Sequence, residues 1–292
     1  MSAAQSQGTP LVPESSAPSR LVLESDLSSA ARNRLARADI AEAARLWRLA
    51  FTLGWFDIRL RYRGSMLGPL WLTLSTAIMV GALGFLYSQL FKMELREYLP
   101  FLAISMVLWG FLSTVIGEAC VCFTTAEGLI RSMRIPHSVH AIRVIVRNLL
   151  VLVHNVAVIF VVYAIFEIWP GLPILWAVPA LALWIVDGFA ICLLLGPIGA
   201  RFRDIPPIVG SIVQLVFFIS PILWKPELLQ GRAAELLYLN PIYTLLEIVR
   251  APMLGEAASP VVWFSALGFS VVIWIAGWFL FARVRGRLTF WV

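Results

Sequence analysis

The chain has 292 residues, of which 60% are hydrophobic and 14% are charged, and its net charge is +6. A soluble domain is about half apolar and about a quarter charged, so this composition excludes an ordinary soluble protein. The basic residues form no dense tract of the kind that binds nucleic acid, and basic residues beside apolar runs are typical of cytoplasmic loops that face anionic lipid. We therefore expect one integral membrane domain.

The first 65 residues precede the apolar runs. Residues 1–40 are predicted to form a disordered cytoplasmic tail, since residues 1–30 are rich in Ser, Ala and Pro and lack the basic start and apolar stretch of a signal peptide. Residues 41–65 are predicted to form an amphipathic helix in the cytoplasmic interface, because Leu and Phe recur at a spacing of three and four from Leu46 to Leu60. That helix would serve either as a membrane anchor or as a structural element beside a partner protein.

Residues 66–292 are predicted to form six transmembrane helices, because a spanning helix needs about 20 mainly apolar residues. The six apolar segments are Met66–Phe91, Tyr98–Val121, Val144–Phe166, Ile174–Gly199, Ile208–Trp224 and Val261–Phe281. The fifth is the shortest, begins after Pro206-Pro207 and carries Pro221. Backbone groups freed by proline must be satisfied by neighbouring helices or water, so we expect this span to pack inside the protein.

The arginines lie mostly on one side of the predicted spans. They cluster before the first span, between the second and third, between the fourth and fifth, and after the sixth, whereas the opposite loops carry few basic residues among several acids. The positive-inside rule then puts both termini in the cytoplasm, which agrees with an even number of spans. We expect a multi-pass protein of the bacterial inner membrane.

The segment Lys225–Ser259, on the predicted outer side, is neither a span nor a simple loop. Ala233–Leu239 and Tyr243–Arg250 are predicted to be helical, separated by Asn240-Pro241. Each helix is too short to cross a bilayer. A re-entrant hairpin fits this pattern, because irregular backbone at membrane depth must be buried in protein or line a wet cavity. The alternative is an amphipathic pair on the outer surface.

No motif for catalysis or nucleotide binding is present in the sequence. The only lysines, Lys92 and Lys225, do not lie in a P-loop, and His-Glu-x-x-His, Gly-x-Ser-x-Gly and Cys-x-x-Cys patterns are also missing. The three cysteines lie inside apolar runs and are interpreted as small buried side chains rather than disulfide partners or metal ligands: Cys120, Cys122 and Cys192. We expect no metal and no cofactor on this chain.

Ionisable and amide side chains within the spans are candidate functional residues, because they are costly in lipid. Glu118 lies near the inner end of the second span, where its side chain can reach water. The third span carries a polar strip at heptad spacing: Arg147, Asn148, His154 and Asn155. Asp187, in the fourth span, needs a partner, and Arg147 or His154 are the candidates. Each residue would make either an interhelix contact or a substrate contact, and the lack of a carboxylate chain disfavours a proton-coupled transporter.

Four short motifs lie at the ends of the predicted spans and in the outer hairpin: Arg61-Tyr62-Arg63-Gly64-Ser65-Met66-Leu67-Gly68-Pro69-Leu70-Trp71, Arg201-Phe202-Arg203-Asp204-Ile205, Ser220-Pro221-Ile222 and Asn240-Pro241. Together they resemble the membrane subunits of polysaccharide ABC exporters. The resemblance runs from about Leu46 to the end of the chain. It implies an all-α permease that pairs with a second copy and docks two ATPase subunits, which bind the ATP and Mg²⁺.

By this resemblance, the connection Glu127–His137 is a coupling helix that inserts into the ATPase. Its residues suit that role: Glu127, Gly128, Ile130, Arg131, Met133, Arg134 and Pro136. Gly128 would break the helix, the arginines would supply polar grip, Ile130 and Met133 would supply apolar contacts, and Pro136 would end the segment. The alternative is an ordinary basic loop beside anionic lipid.

The substrate implied by the resemblance is a lipid-linked polysaccharide of the O-antigen type. Capsule, teichoic-acid or other ABC-2 substrates are alternatives, and a membrane-embedded glycosyl or acyl transferase would need more acids or histidines at one face. The linking phosphate of such a lipid would meet Arg59, Arg61 and Arg63, whose forked donors match phosphate geometry. The alternative is that these side chains snorkel to ordinary anionic lipid.

Overall fold

The computed structural model describes residues 28–66, 68 and 70–292, and within these residues all regular secondary structure is helical. The α-helices of this described part follow in chain order: α1 (Ser29–Arg45), α2 (Trp47–Arg61), α3 (Leu70–Phe91), α4 (Leu95–Val121), α5 (Glu127–Ser132), α6 (Ser138–Phe166), α7 (Ala177–Arg201), α8 (Ile205–Ile219), α9 (Arg232–Leu236), α10 (Pro241–Met253), α11 (Pro260–Val284) and α12 (Leu288–Trp291). The predicted all-α class is confirmed.

Among the residues that the structure describes, five helices are long and apolar enough to cross a membrane, and they correspond to five of the six predicted spans. They are α3, α4, α6, α7 with its preceding turn, and α11 with the residues that follow it. α4 lies at the centre of the bundle, where it contacts α3, α6, α7, α8 and α10. Most of its side chains are buried, whereas the apolar surface of α3 is largely exposed.

The fifth predicted span is shorter in the structure, where α8 covers only Ile205–Ile219. Fifteen residues of helix extend about 22 Å, which is less than the hydrocarbon core of about 30 Å. The helix stops because Ser220 precedes Pro221, and a residue before proline is pushed out of the α region. The expectation that this span packs inside the protein is wrong for α8, which has no buried residue.

The burial expected for the fifth span falls instead on the irregular segment after α8. Ser220, Pro221, Ile222 and Leu223 are all buried. The Pro221 carbonyl accepts a hydrogen bond from Arg250, and the Leu223 carbonyl accepts one from Tyr98. The carbonyls exposed by the end of the helix are thus satisfied by other helices, as buried backbone groups must be.

The N-terminal region differs from the predicted disordered tail from Ser29 onward, while residues 1–27 lie outside the described part. Ser28 caps α1 by accepting a hydrogen bond from the Ala31 N–H at 3.3 Å. Ala36, Asp39 and Ala43 form a buried face against α6 and α11. The small residues on this face allow α1 to pack closely on the bundle. The polar composition of the region as a whole gives no indication of this packing.

The interfacial segment 41–65 is also not the single helix that was predicted. α1 ends at Arg45 and α2 begins at Trp47, with Leu46 between them. α2 packs on α6 through a face that includes Gly54, where an added Cβ would lie 3.0 Å from Val146 Cγ1. Large apolar side chains on the rest of α2 remain exposed: Trp47, Phe51, Trp55, Phe56 and Leu60.

The contact between α4 and α7 depends on glycine. A Cβ added at Gly199 would lie 1.9 Å from the Cys120 carbonyl oxygen, and one at Gly196 would lie 2.6 Å from Cys122 Sγ. Both cysteines and Cys192 are buried with free thiols, in agreement with their interpretation as small core side chains. Any larger residue at Gly199 would force the two helices apart.

The segment before α11 forms two helical pieces separated at Asn240, as the sequence predicts. α9 continues through a 3₁₀ turn to Leu239, and Asn240 then caps α10. The Asn240 side-chain oxygen accepts hydrogen bonds from the N–H groups of Ile242 and Tyr243 at 3.0 and 3.2 Å. Pro241 occupies the first turn of α10, where its missing N–H costs nothing.

Candidate functional site

One end of the bundle carries α1, α2, α5, α12 and most of the arginines, and we call it the arginine-rich end. A charged network there joins α2, α4 and α6 through Asp57, Arg61, Glu118, Arg143 and Arg147. Asp57 accepts from Arg143 Nε at 2.7 Å and from Arg147 Nη1 at 2.8 Å. Arg143 and Arg147 lie one helical turn apart, so both guanidiniums reach the same carboxylate.

Glu118 is the second carboxylate of the charged network, and its two oxygens have different partners. Oε2 accepts from Arg147 Nη2 and from Asn148 Nδ2, each at 2.6 Å. Oε1 accepts from Arg61 Nη2 at 3.0 Å. Glu118 therefore makes interhelix contacts, and two of the four predicted polar residues of the third span bind it.

Exposure separates Arg61 from the rest of the charged network. The other four side chains are 13 to 18% exposed, whereas that of Arg61 is 44% exposed. Arg59 and Arg63, the other predicted phosphate contacts, are also exposed. The network has three guanidiniums and two carboxylates, so its net charge is +1. Arg61 is the guanidinium most accessible to a ligand.

The polar strip predicted along the third span does not form one continuous contact. His154 Nδ1 lies 2.7 Å from the Leu150 carbonyl of its own helix. Asn155 Oδ1 accepts a hydrogen bond from Thr73 on α3 at 3.5 Å. These two residues therefore lie apart from Arg147 and Asn148 in their contacts, although all four have similar spacing in the sequence.

The predicted partners of Asp187 are wrong. Asp187 is buried in α7, and its Oδ2 accepts a hydrogen bond from Ser270 of α11 at 2.7 Å. α7 and α11 pack closely, whereas Arg147 binds Glu118 of α4 and His154 contacts the Leu150 carbonyl of its own helix. Since Ser270 is distant in sequence and chemically unremarkable within an apolar span, the pattern gave no signal for it.

The predicted coupling segment is partly exposed at the arginine-rich end. Met133 is 53% exposed, and the side chains of Glu127, Arg131 and Arg134 are also accessible, whereas Ile130 packs into the protein. α5 ends at Ser132, so Gly128 lies within the helix and does not break it. Pro136 likewise follows the end of α5 instead of causing it.

A cavity of about 560 Å³ adjoins the coupling segment, lined by Ile130–His137 together with Glu42, Arg285 and Thr289. Arg131 reaches across to the Val292 backbone oxygen at 2.5 Å and pairs with Glu127 at 2.9 Å. The segment is therefore held against both the N-terminal and C-terminal helices.

Asp39 is the residue that fixes this arrangement, and sequence reasoning missed it. It accepts hydrogen bonds from the Ser138 N–H at 3.0 Å, the His137 N–H at 3.2 Å and Arg285 Nε at 2.7 Å. Burial acts to raise the pKa of Asp39, but hydrogen bonds from His137, Ser138 and Arg285 outweigh it and hold the pKa well below its ordinary value. Asp39 thus stays ionised and joins α1, α6 and the C-terminal helices beneath the coupling segment.

At the opposite end of the bundle, Arg250 is buried in α10. It donates to Ser105 Oγ at 3.0 Å, pairs with Glu247, and lies 4.4 Å from the centre of the Phe101 ring. Together with its bond to Pro221, these contacts hold the segment after α8. Nearby, Asn240 Nδ2 donates to Ser220 Oγ at 2.9 Å. An arginine in an apparent outer loop gave no indication of this role.

A groove of about 430 Å³ runs between α4 and α8. Aromatic rings and polar side chains share its wall, since Trp109, Phe217 and Phe218 lie beside Ser113 and Gln214. The Trp109 and Phe217 ring centroids are 5.7 Å apart. Flat aromatic faces beside hydroxyl and amide groups form a surface that can stack and hydrogen-bond sugar rings.

The family model described as ABC-2 type transporter matches residues 48–254. The chain belongs to this family. It is therefore a transport subunit and not an enzyme, and it is a multi-pass protein of a bacterial inner membrane. The resemblance found in the sequence motifs is confirmed.

Three curated relatives are similar in sequence to this ABC-2 subunit over about two thirds of its length. O-antigen export system permease protein RfbA of Myxococcus xanthus is 26% identical over 201 residues, which cover 67% of this chain and 76% of that protein. Two proteins of the same name from Klebsiella pneumoniae are 21% and 20% identical over 191 residues, covering 65% of this chain and 74% of each.

The charged network of this ABC-2 subunit predicts a specific stability effect. Asp57→Asn removes the carboxylate partner of Arg143 and leaves Arg147 with Glu118 alone, and breaking a largely buried ion pair costs about 3 kcal/mol. The apparent melting temperature of the detergent-solubilised protein should fall by about 5 °C or more. Glu127→Gln removes an exposed pair and should change it by less than about 2 °C. Equal shifts for the two variants would contradict the structural role of the network.

Proposed function

We propose that this ABC-2 subunit exports a lipid-linked, O-antigen-like polysaccharide across the inner membrane, driven by a separate ATPase. The observation that carries the proposal is the similarity to three O-antigen export permeases over about three quarters of their length. The aromatic groove between α4 and α8 supports it, because that surface suits sugars. ATP and Mg²⁺ bind to the ATPase, since this sequence has no P-loop.

In this proposal the chain crosses the membrane six times, and both termini lie in the cytoplasm. α8 and the segment Ser220–Trp224, which is buried as far as Leu223, together make the fifth crossing, and α9 and α10 form a hairpin that enters from the outside. The arginine-rich end faces the cytoplasm, in keeping with the positive-inside rule. The hydrogen bonds of Arg250 and Tyr98 to the irregular segment support this path, because backbone at membrane depth needs such partners.

Two copies of the chain form the transport path, with α8 facing the second copy. Its exposed apolar residues follow helical spacing: Ile208, Ile212, Leu215 and Ile219. Such a stripe lies against lipid in a monomer and against protein in a dimer. The adjacent aromatic groove supports the dimer, because pairing of the two copies would enclose it and separate sugars from lipid.

The coupling segment seats in the ATPase. Met133 and Arg134 are its exposed apolar and charged contacts, whereas Arg131 is exposed but already bonded to Glu127 and Val292 of the same chain. Asp39 transmits force from this segment to α1 and α6, since its bonds join these elements. Motion of the ATPases would therefore move the bundle and not an isolated loop.

The coupling role predicts that Arg134→Glu weakens binding of the ATPase subunit about tenfold, or about 1.4 kcal/mol, because it reverses an interfacial charge. Membrane insertion of the permease should be unchanged. Arg232→Glu, which reverses an exposed charge on α9 at the other end, is the matched control. Affinity is measured by titrating the purified ATPase onto the permease in nanodiscs. Unchanged affinity for the Arg134 variant would exclude this segment as the docking element.

Arg61 and Arg63 bind the phosphate of the lipid-linked substrate. Arg61 is suited to exchange, because Glu118 keeps its bonds to Arg147 and Asn148 when Arg61 leaves. A phosphate oxygen can therefore replace Glu118 Oε1 without leaving a buried carboxylate unpaired. Arg59 and Arg63 supply further exposed guanidiniums beside it.

This binding role predicts that Arg61→Lys or Arg63→Lys raises the glycolipid concentration for half-maximal ATPase stimulation about tenfold, since a charged hydrogen bond of the guanidinium fork is lost. Basal ATPase activity and complex assembly should be unchanged. Arg48→Lys, at the other end of α2, preserves an exposed charge and is the control. If all three variants respond like the parent, these arginines bind ordinary lipid and not the substrate phosphate.

A further inference from the structure

A second groove, of about 470 Å³, lies between α3 and α6. Every residue of its wall is apolar except Thr73. Along α3 the wall extends from Leu70 to Gly81, a helical distance of about 16 Å, which is about half the thickness of a hydrocarbon core. The groove therefore has the polarity and length of a site for one hydrocarbon chain within a single leaflet.

Small residues create this α3–α6 groove. Ala77 and Gly81 on α3 and Ala157 on α6 lie in its wall. A Cβ added at Gly81 would meet no atom within 4 Å, whereas one at Gly84 would lie 2.3 Å from Leu99 Cδ1. The recess is thus open at Gly81 and closed by packing one turn further along α3.

The α3–α6 groove and the charged network both involve one face of α6. Asn148, Asn155 and Val162 recur every seven residues, so they lie on the same face about 10.5 Å apart. Asn148 binds Glu118 in the network, Asn155 binds Thr73 in the groove wall, and Val162 lines the apolar part. The contacts of this face therefore change from charged to polar and then to apolar, which is the order of the headgroup, the linkage and the hydrocarbon chain in a phosphorylated lipid.

We propose that the α3–α6 groove binds the hydrocarbon chain of the lipid-linked polysaccharide while its phosphate or diphosphate contacts Arg61. This inference rests on the proposed function and assigns the hydrocarbon chain of the substrate a binding site on the protein. The hydrocarbon chain stays at the lipid-facing side of α3 and α6, while α4 separates these helices from the aromatic groove at α8. The charge of Arg61 favours an anionic phosphorylated lipid over a neutral one.

The test uses a polyprenyl diphosphate that carries a diazirine within its chain. The permease–ATPase complex is reconstituted in phosphatidylethanolamine nanodiscs with this probe and irradiated. Labelling should concentrate in residues 70–81 and 157–165. Gly81→Leu fills open space in the groove and should lower this labelling at least fivefold, and Ala157→Leu, from the opposite wall, should act in the same way.

Gly268→Leu is the matched control, because Gly268 is exposed on α11 and its added Cβ would also meet no atom within 4 Å. This variant should be labelled like the parent. Equal labelling of the parent and both groove variants would overturn the inference. Loss of the label on adding a moderate excess of phosphatidylglycerol would also overturn the inference, since the groove would then hold ordinary lipid. Cross-links from these residues to a second copy of the protein would overturn it too.

Stimulation of the ATPase by intact glycolipid is measured in the same nanodiscs. A parent complex that shows no stimulation contradicts the proposed function itself. If the parent complex is stimulated but its groove is not labelled, only the site assigned to the hydrocarbon chain is contradicted. Basal ATPase activity of the groove variants should equal that of the parent, which verifies that they fold and assemble.

Discussion

Pairing of charges at the arginine-rich end is the interaction on which the rest of the structure depends. Asp57 and Glu118 are largely buried where α2, α4 and α6 meet, and an unpaired charge in such a place costs several kcal/mol. Their arginine partners therefore fix α2 against α4 and α6. Arg61 is bound to this framework and its side chain is still exposed, which is why the proposed function assigns it to the phosphate of the substrate.

The same requirement operates on the backbone at the opposite end. The proline at position 221 ends α8 early, and the freed carbonyls need donors that lipid does not supply. Arg250 and Tyr98 provide them from α10 and α4. α4, α10 and the irregular segment after α8 are thus joined by hydrogen bonds that satisfy the segment's backbone.

Sequence reasoning predicted the parts of the fold that depend on local pattern. Each of these parts is encoded in a short stretch of sequence, such as a long apolar run, the break at Asn240-Pro241 or a family motif. Five of the six spans predicted from the apolar runs correspond to long apolar helices in the described residues. The partners of Asp187 and Arg250, and the role of Asp39, could not be predicted, because each depends on helices that are distant in sequence. The helix at Ser29 was missed because its buried face consists mainly of small residues, which give no strong periodic signal.

The central claim is that this ABC-2 subunit moves a lipid-linked glycan across the membrane when its partner hydrolyses ATP. The most direct measurement reconstitutes the complex in liposomes with the ATPase facing outward, places the glycolipid in the outer leaflet, and follows protection of the glycan from an added glycosidase. Protection of the glycan should require ATP and both subunits. ATP hydrolysis that is stimulated by the glycolipid but gives no protected glycan would contradict it.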